Sequence, residues 1–156
     1  MSIALFSIAV AVAVLTVGFL GVITLLSRAL SLNRVVSDNY TATYLAAEGI
    51  ELAKNIIDGN AAQGGWGSGA NQGVYEIDIT STAFATPAED HPLIFDPATR
   101  LYSYQNGNPT SFVRRVTVTP IDDGTAEIQV NSEVVWTTRG GGRSRVNLED
   151  HFYNWK

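Results

Sequence analysis

Apolar and polar positions along this chain change rhythm twice, and each rhythm predicts a different element. From Met1 to Ser27 no charged side chain occurs, and the stretch AVAVLTVGFLGVITLLSRALSLNR (11–34) opens apolar all round a helix. After Arg28 the apolar residues thin into a stripe. Leu32, Val35, Ala42, Leu45, Ala46, Gly49, Leu52, Ala53 and Ile56 recur at three- and four-residue steps, the spacing of one helix face. Asp38, Thr41, Glu48, Glu51, Asn55 and Asp58 fall largely off it. No proline interrupts residues 1–58, and Asp58-Gly59-Asn60 is a stop signal with Gly59 suited to a left-handed cap. One helix is therefore expected from the N-terminus to Asp58, and a helix that long needs a special reason.

Beyond Asn60 the texture turns to glycine, polar residues and β-branched runs. AAQGGWGSGANQG (61–73) reads as a loop. VYEIDIT (74–80) alternates, with Tyr75, Ile77 and Ile79 on one face, and reads as a strand. Residues 81–98 carry three of the five prolines and read as irregular surface. TRLYSYQ, SFVRRVTVTPI, AEIQVNSEVVWTT and RSRVNLEDHFYNW are strand-like, joined by NGNP, DDG and GGG, short turns that favour antiparallel neighbours. Val116, Val118, Ile128, Val130 and Val134 supply a buried face that needs a cover, and the stripe from Leu32 to Ile56 is the element available to cover it. The expected fold is α+β: a long helix against an antiparallel meander. Residues 1–27 form an apolar span and 28–156 a globular head, comprising a half-helix (28–58), a loop region (59–98) and a sheet (99–156). Leu32, Val35, Leu45, Leu52 and Ile56 are the expected helix–sheet contacts. Tyr102, Tyr104, Phe112, Trp136, Phe152 and Trp155 are expected to fill the core.

The span sets the environment. At about 1.5 Å per residue, residues 1–27 reach roughly 40 Å, more than the ~30 Å hydrocarbon core of a bilayer. A cleavable secretory signal is shorter, opens with basic residues and ends at a small-residue site, none of which is present. A head of this size cannot enclose so long an apolar rod. Leu5, Phe6, Val10, Val14, Leu15, Val17, Gly18, Phe19, Leu20, Gly21, Ile23, Leu25 and Leu26 are thus the side chains offered to lipid or to sister helices. Arg28 and Arg34 lie only on the far side of the span, which by the positive-inside rule would leave the head in the cytoplasm.

Charge narrows the remaining chemistry. Ten basic and 15 acidic side chains give a net charge of −5, the wrong sign for a nucleic-acid footprint. The absence of cysteine excludes zinc–thiolate sites, disulfides and cysteine nucleophiles. The histidines sit in Glu89-Asp90-His91 and Glu149-Asp150-His151, which read as exposed polar loop and strand ends rather than two halves of a metal site. Asp122, Asp123 and Glu127 are weak calcium candidates, and a hairpin turn explains the same residues. GGWGSG and RGGGR lack the strand–loop–helix context and the lysine of a phosphate loop. No catalytic constellation and no cofactor site is expected. Asn39-Tyr40-Thr41 matches a glycosylation sequon inside the expected helix. Trp66, Tyr102 and Tyr104 as a sugar-stacking surface are set against the commoner role of such residues in cores and contacts.

Three segments carry a family resemblance. LTVGFLGVITLLSRAL resembles the helix of type IV pilins and pseudopilins after their processing site. YLAAEGIELAKNIIDGN is similar to the A-x-E-G-I-E segment of many bacterial prepilin-type proteins, and VVWTTRGGGRSRVNLEDHFYNWK resembles their closing hairpin. The resemblance implies a filament subunit stored in the cytoplasmic membrane, with lipid, sister subunits and pilus assembly machinery as partners. Members begin with a basic leader and a Gly-Phe-Thr-Leu-x-Glu type motif cut after its glycine. Aligning the LTVG run puts Ser2 at that glycine, Ile3 at the mature end and Ser7 at the glutamate, so both motif residues are missing. A second alignment, through SIALFSIAV, places Met1 several residues inside the mature helix, and it too lacks both. The resemblance leads to the expectation that a basic leader once preceded Met1, which keeps the N-terminus inside and exports residues 35–156. The alternative is a single-pass protein whose exported β domain binds a ligand or partner and never polymerises.

Overall fold

The helix of the computed structural model, α1, runs from Ser2 to Ala62, one turn past the expected stop. The structure describes residues 2–67, 69–85, 87–121, 127–138 and 140–154. Ala61 and Ala62 are strong helix formers and carry the helix through Gly59. The left-handed position falls instead on Gly64, at φ 78°. There Gly65 N donates to Asn60 O at 2.9 Å and Gly64 N to Ala61 O at 3.0 Å, the paired bonds of a glycine-terminated helix end. The chain divides into two compact units, Met1–Asp38 and Asn39–Lys156. Among the described residues the first is helix alone.

In the second unit residues 39–62 of α1 cover a six-stranded antiparallel sheet, an α+β arrangement. Its strands are β1 (Gly73–Tyr75), β2 (Pro92–Asp96), β3 (Leu101–Ser103), β4 (Asn108–Ile121), β5 (Glu127–Thr137) and β6 (Arg143–Tyr153). The order is β3-β2-β4-β5-β6, with β1 also on β4. One edge of β4 is shared: β2 pairs with its first half (Pro92↔Val113) and β1 with its second (Tyr75↔Val116). The long hairpin β5–β6 closes at Thr137↔Arg143. The turn between β3 and β4 depends on Gly107, at φ 135°, where a Cβ would lie 2.4 Å from the Phe95 carbonyl.

The predicted stripe and the predicted sheet face meet in the core. Ala42, Leu45, Ala46, Ile50, Ala53, Ile56 and Ile57 are buried against Val116, Val118, Ile128, Val130 and Val134. Two apolar clusters result. One gathers Ile50, Ala53, Ile56, Ile57, Tyr75, Ile77 and Phe84 under β4 and β5. The other gathers Ala42, Leu45, Ala46, Leu93, Phe112 and Trp136. Tyr102, Tyr104 and Phe152 are half-buried against these clusters, and Trp155 lies outside the described residues.

Three expectations need correction. Leu32 and Val35 are exposed, so helix–sheet packing begins at Ala42; Leu45 and Ile56 are buried and Leu52 half-buried. The strand expected over 74–80 stops at Tyr75, and Ile79 is exposed. Within 81–98, read as irregular, Pro92–Asp96 forms β2, with Pro92 at the strand start, where a missing N–H is tolerated. Glu76 and Asp78, which alternate with Tyr75 and Ile77, are buried as well.

Candidate functional site

Two features stand out: an exposed apolar helix in the first unit and a set of buried charges in the second. Along the helix Leu5, Phe6, Val10, Val14, Leu15, Val17, Phe19, Leu20, Ile23, Leu25 and Leu26 are all exposed, from 45% at Ile23 to 72% at Phe6 and Leu15. None of its most apolar window is buried, and it is long and apolar enough to cross a membrane. Three of its hydroxyls turn inward on the helix. Ser7 Oγ donates to Ile3 O at 3.0 Å, Thr16 Oγ1 to Val12 O at 2.9 Å and Thr24 Oγ1 to Leu20 O at 2.8 Å. A hydroxyl satisfied by its own helix costs little in hydrocarbon, where an unpaired one would cost several kcal/mol (about 2–7). Gly18 and Gly21 have nothing within 4 Å of a Cβ position, which leaves two flat places where another backbone can approach.

In the second unit Arg114 is fully buried between the two apolar clusters. Its Nη2 donates to Ile77 O at 2.7 Å and its Nη1 to Leu45 O at 3.1 Å, with Glu48 Oε2 at 3.3 Å. The topology explains the first bond. Tyr75↔Val116 is the last β1–β4 pair, so the Ile77 carbonyl has no ladder partner, and the guanidinium takes that place. Gly49 permits the second, because a Cβ there would lie 2.3 Å from Ser132 Oγ and 3.0 Å from Arg114 Cδ. Arg114 Nε and Ser132 Oγ are buried with no hydrogen-bond partner among the described residues. The parity of β4 carries the signal for this buried arginine. Phe112, Arg114, Val116 and Val118 share one face, and a pattern read only for apolar residues passes over the charge between them.

Other charges clasp segments of the second unit together. Glu76 Oε1 accepts from Glu89 N and His91 N, both at 2.9 Å, and its Oε2 meets His91 Nδ1 at 2.8 Å. That bond raises the His91 pKa. Asp90, at φ 66°, forms a two-pronged pair with Arg115, which holds the Asp90 carboxyl below its usual range. His151 bonds Glu127 through Nδ1 and Glu149 through Nε2, and its pKa is likewise raised. Burial pushes Asp78 upward, but bonds from Thr80, Tyr104 and Ser81 outweigh it and leave the group lowered. Burial drives the Tyr104 hydroxyl up to about 12. Glu76, Asp78, His91 and Tyr104 line an open cleft of about 430 Å³. Another, of about 540 Å³, is lined by Lys54, Asp58, Trp66, His151 and Phe152.

These clasps account for the candidate chemistry. The two Glu-Asp-His motifs are not brought together, since each histidine serves its own carboxylates. Among the described residues no group of three or more His, Asp or Glu is placed to hold a metal ion. Asp122 and Asp123 lie outside the described residues, and Glu127 is taken by His151. Trp66 packs against one core cluster while Tyr102 and Tyr104 pack against the other, so the three form no common stacking surface. Comparison with protein-family models, with characterised proteins and with solved structures finds no match for this chain.

Proposed function

We propose that this chain is a structural subunit of a type IV pilus-like extracellular filament, held in a membrane by residues 1–27 and polymerised through the same helix. The observation that carries the reading is an uncharged, wholly exposed apolar helix on a head with its own core. Lipid can satisfy such a rod, and so can sister helices, so assembly exchanges one apolar environment for another. A head-to-tail contact that does not close on itself produces a helical filament. The α+β arrangement and the three sequence segments that resemble prepilin-type proteins support the same reading. On it, residues 35–156 lie outside the cytoplasm despite Arg28 and Arg34.

The reading without polymerisation rests on one observation: the span holds no charged side chain that would register a neighbouring subunit. Electron microscopy of filaments sheared from the native cell, with intact mass and N-terminal sequencing of their protein, separates the two. Filaments containing this chain support the proposal. A chain that stays monomeric in the membrane, or a head protected from protease in intact spheroplasts, overturns it.

A further inference from the structure

An uncharged helix can slide along a sister helix, so its register has to be set beyond residue 27. Arg28 and Arg34 are both exposed, and among the described residues neither has a carboxylate partner. The helix of the head carries four carboxylates. Asp38 and Glu48 are half-buried, with Glu48 taken by Arg114, whereas Glu51 and Asp58 are exposed and form no ion pair among the described residues. At 3.6 residues per turn, Glu51 and Asp58 fall on one row, on the face opposite Ala42, Leu45, Ala46 and Ala53. Their seven-residue spacing matches the six-residue spacing of the two arginines to within one position, and no other two of the four carboxylates come as close.

We infer that neighbouring copies of this chain pack with parallel helices offset by 23 or 24 residues, Arg28 and Arg34 of one copy flanking Glu51 and Asp58 of the next. The inference rests on the filament reading above and names the partner surface it requires. Copies inserted into one membrane run the same way, which selects parallel over antiparallel packing. Arg28 and Arg34 leave the helix about 120° apart, so they reach the Glu51–Asp58 row from its two sides. The same offset sets the exposed Tyr40 and Tyr44 of one copy beside the exposed Val17 and Leu20 of the other, where two aromatic rings cover apolar surface. Lys54 falls opposite Ser31, between the two arginines rather than on either.

The chain contains no cysteine, so disulfide trapping reads the offset directly. In the full-length protein expressed in its own cell, the double variant Ser31→Cys/Lys54→Cys should give a ladder of covalent multimers under mild oxidation. Ser31→Cys/Ala47→Cys, which shifts the register by two turns on the same face, should not. Arg28→Glu/Arg34→Glu and Glu51→Arg/Asp58→Arg should each weaken association about tenfold per contact, and combining all four should restore it. Circular dichroism of each variant checks that the helix and head persist. A 31/54 ladder without visible filaments upholds the contact and overturns the filament reading. Filaments that trap at 31/47, or that ignore both charge reversals, overturn the register and leave the filament reading standing. A chain that neither traps nor forms filaments overturns both.

Discussion

Replacing Gly49 with alanine tests how closely the helix lies on the sheet. The added Cβ would lie 2.3 Å from Ser132 Oγ, 3.2 Å from Ser132 Cβ and 3.0 Å from Arg114 Cδ. Neither neighbour can swing into solvent, because both Ser132 and Arg114 are fully buried. The helix and β5 must therefore separate, which also lengthens the Arg114 bond to the Leu45 carbonyl. Core overpacking costs about 1–3 kcal/mol, and a 2.3 Å contact between groups with no room to yield belongs to the upper part of that range, about 2–3 kcal/mol. Relief of the glycine penalty in a helix returns about 1 kcal/mol, so a net loss of about 1–2 kcal/mol remains. For a unit of this size that lowers Tm by about 5–10 °C. The loss is read from thermal unfolding of the full chain in mild detergent, followed by the near-ultraviolet signal of buried Trp136. Gly59→Ala is the control: nothing lies within 4 Å of its Cβ position, and it should raise Tm slightly. Adding Ser132→Ala to Gly49→Ala should recover part of the loss, since the two sites share one contact. A Gly49→Ala protein as stable as the parent would show that α1 does not approach β5 this closely and would refute the packing.

Arg114→Ala should cost about 3–5 kcal/mol in a denaturant titration, because it orphans the Ile77 carbonyl and leaves Glu48 unpaired. Glu48→Gln keeps a hydrogen-bond acceptor but leaves the buried Arg114 charge without a carboxylate, and should cost about 1–3 kcal/mol. The raised pKa values of His91 and His151 imply stability that is complete below the ordinary histidine value of 6.5 and lost as pH rises through the folded values. Asp78, Asp90, Asp96 and Glu149 are lowered, and their contribution is complete above about 4.5 and lost as pH falls through the folded values. Melting temperature against pH should therefore peak between about 4.5 and 6.5, and His91→Asn/His151→Asn should flatten the alkaline limb. Residues 28–156, and equally 39–156, should be soluble folded monomers, whereas 48–156, which lacks Ala42, Leu45 and Ala46, should be unfolded by circular dichroism and size exclusion.

Periodicity alone determined the long helix, the change from an all-round apolar rod to a one-sided stripe, and the hairpins of β4, β5 and β6. Each of these is a local pattern that recurs over many residues, so single exceptions do not erase it. The inward face of the sheet was legible for the same reason, down to Val116, Val118, Ile128, Val130 and Val134. Tertiary structure decided what depends on the meeting of distant segments. Burial of the helix stripe starts at Ala42, and nothing local to Leu32 or Val35 marks that limit. Pro92–Asp96 is a strand because β4 and β3 pair with it. Glu76 and Arg114 are buried because hydrogen bonds with residues 13 to 69 positions away make burial of a charge tolerable. A sequence pattern records where apolar side chains recur; which charges can follow them into the core is fixed only when their partners arrive.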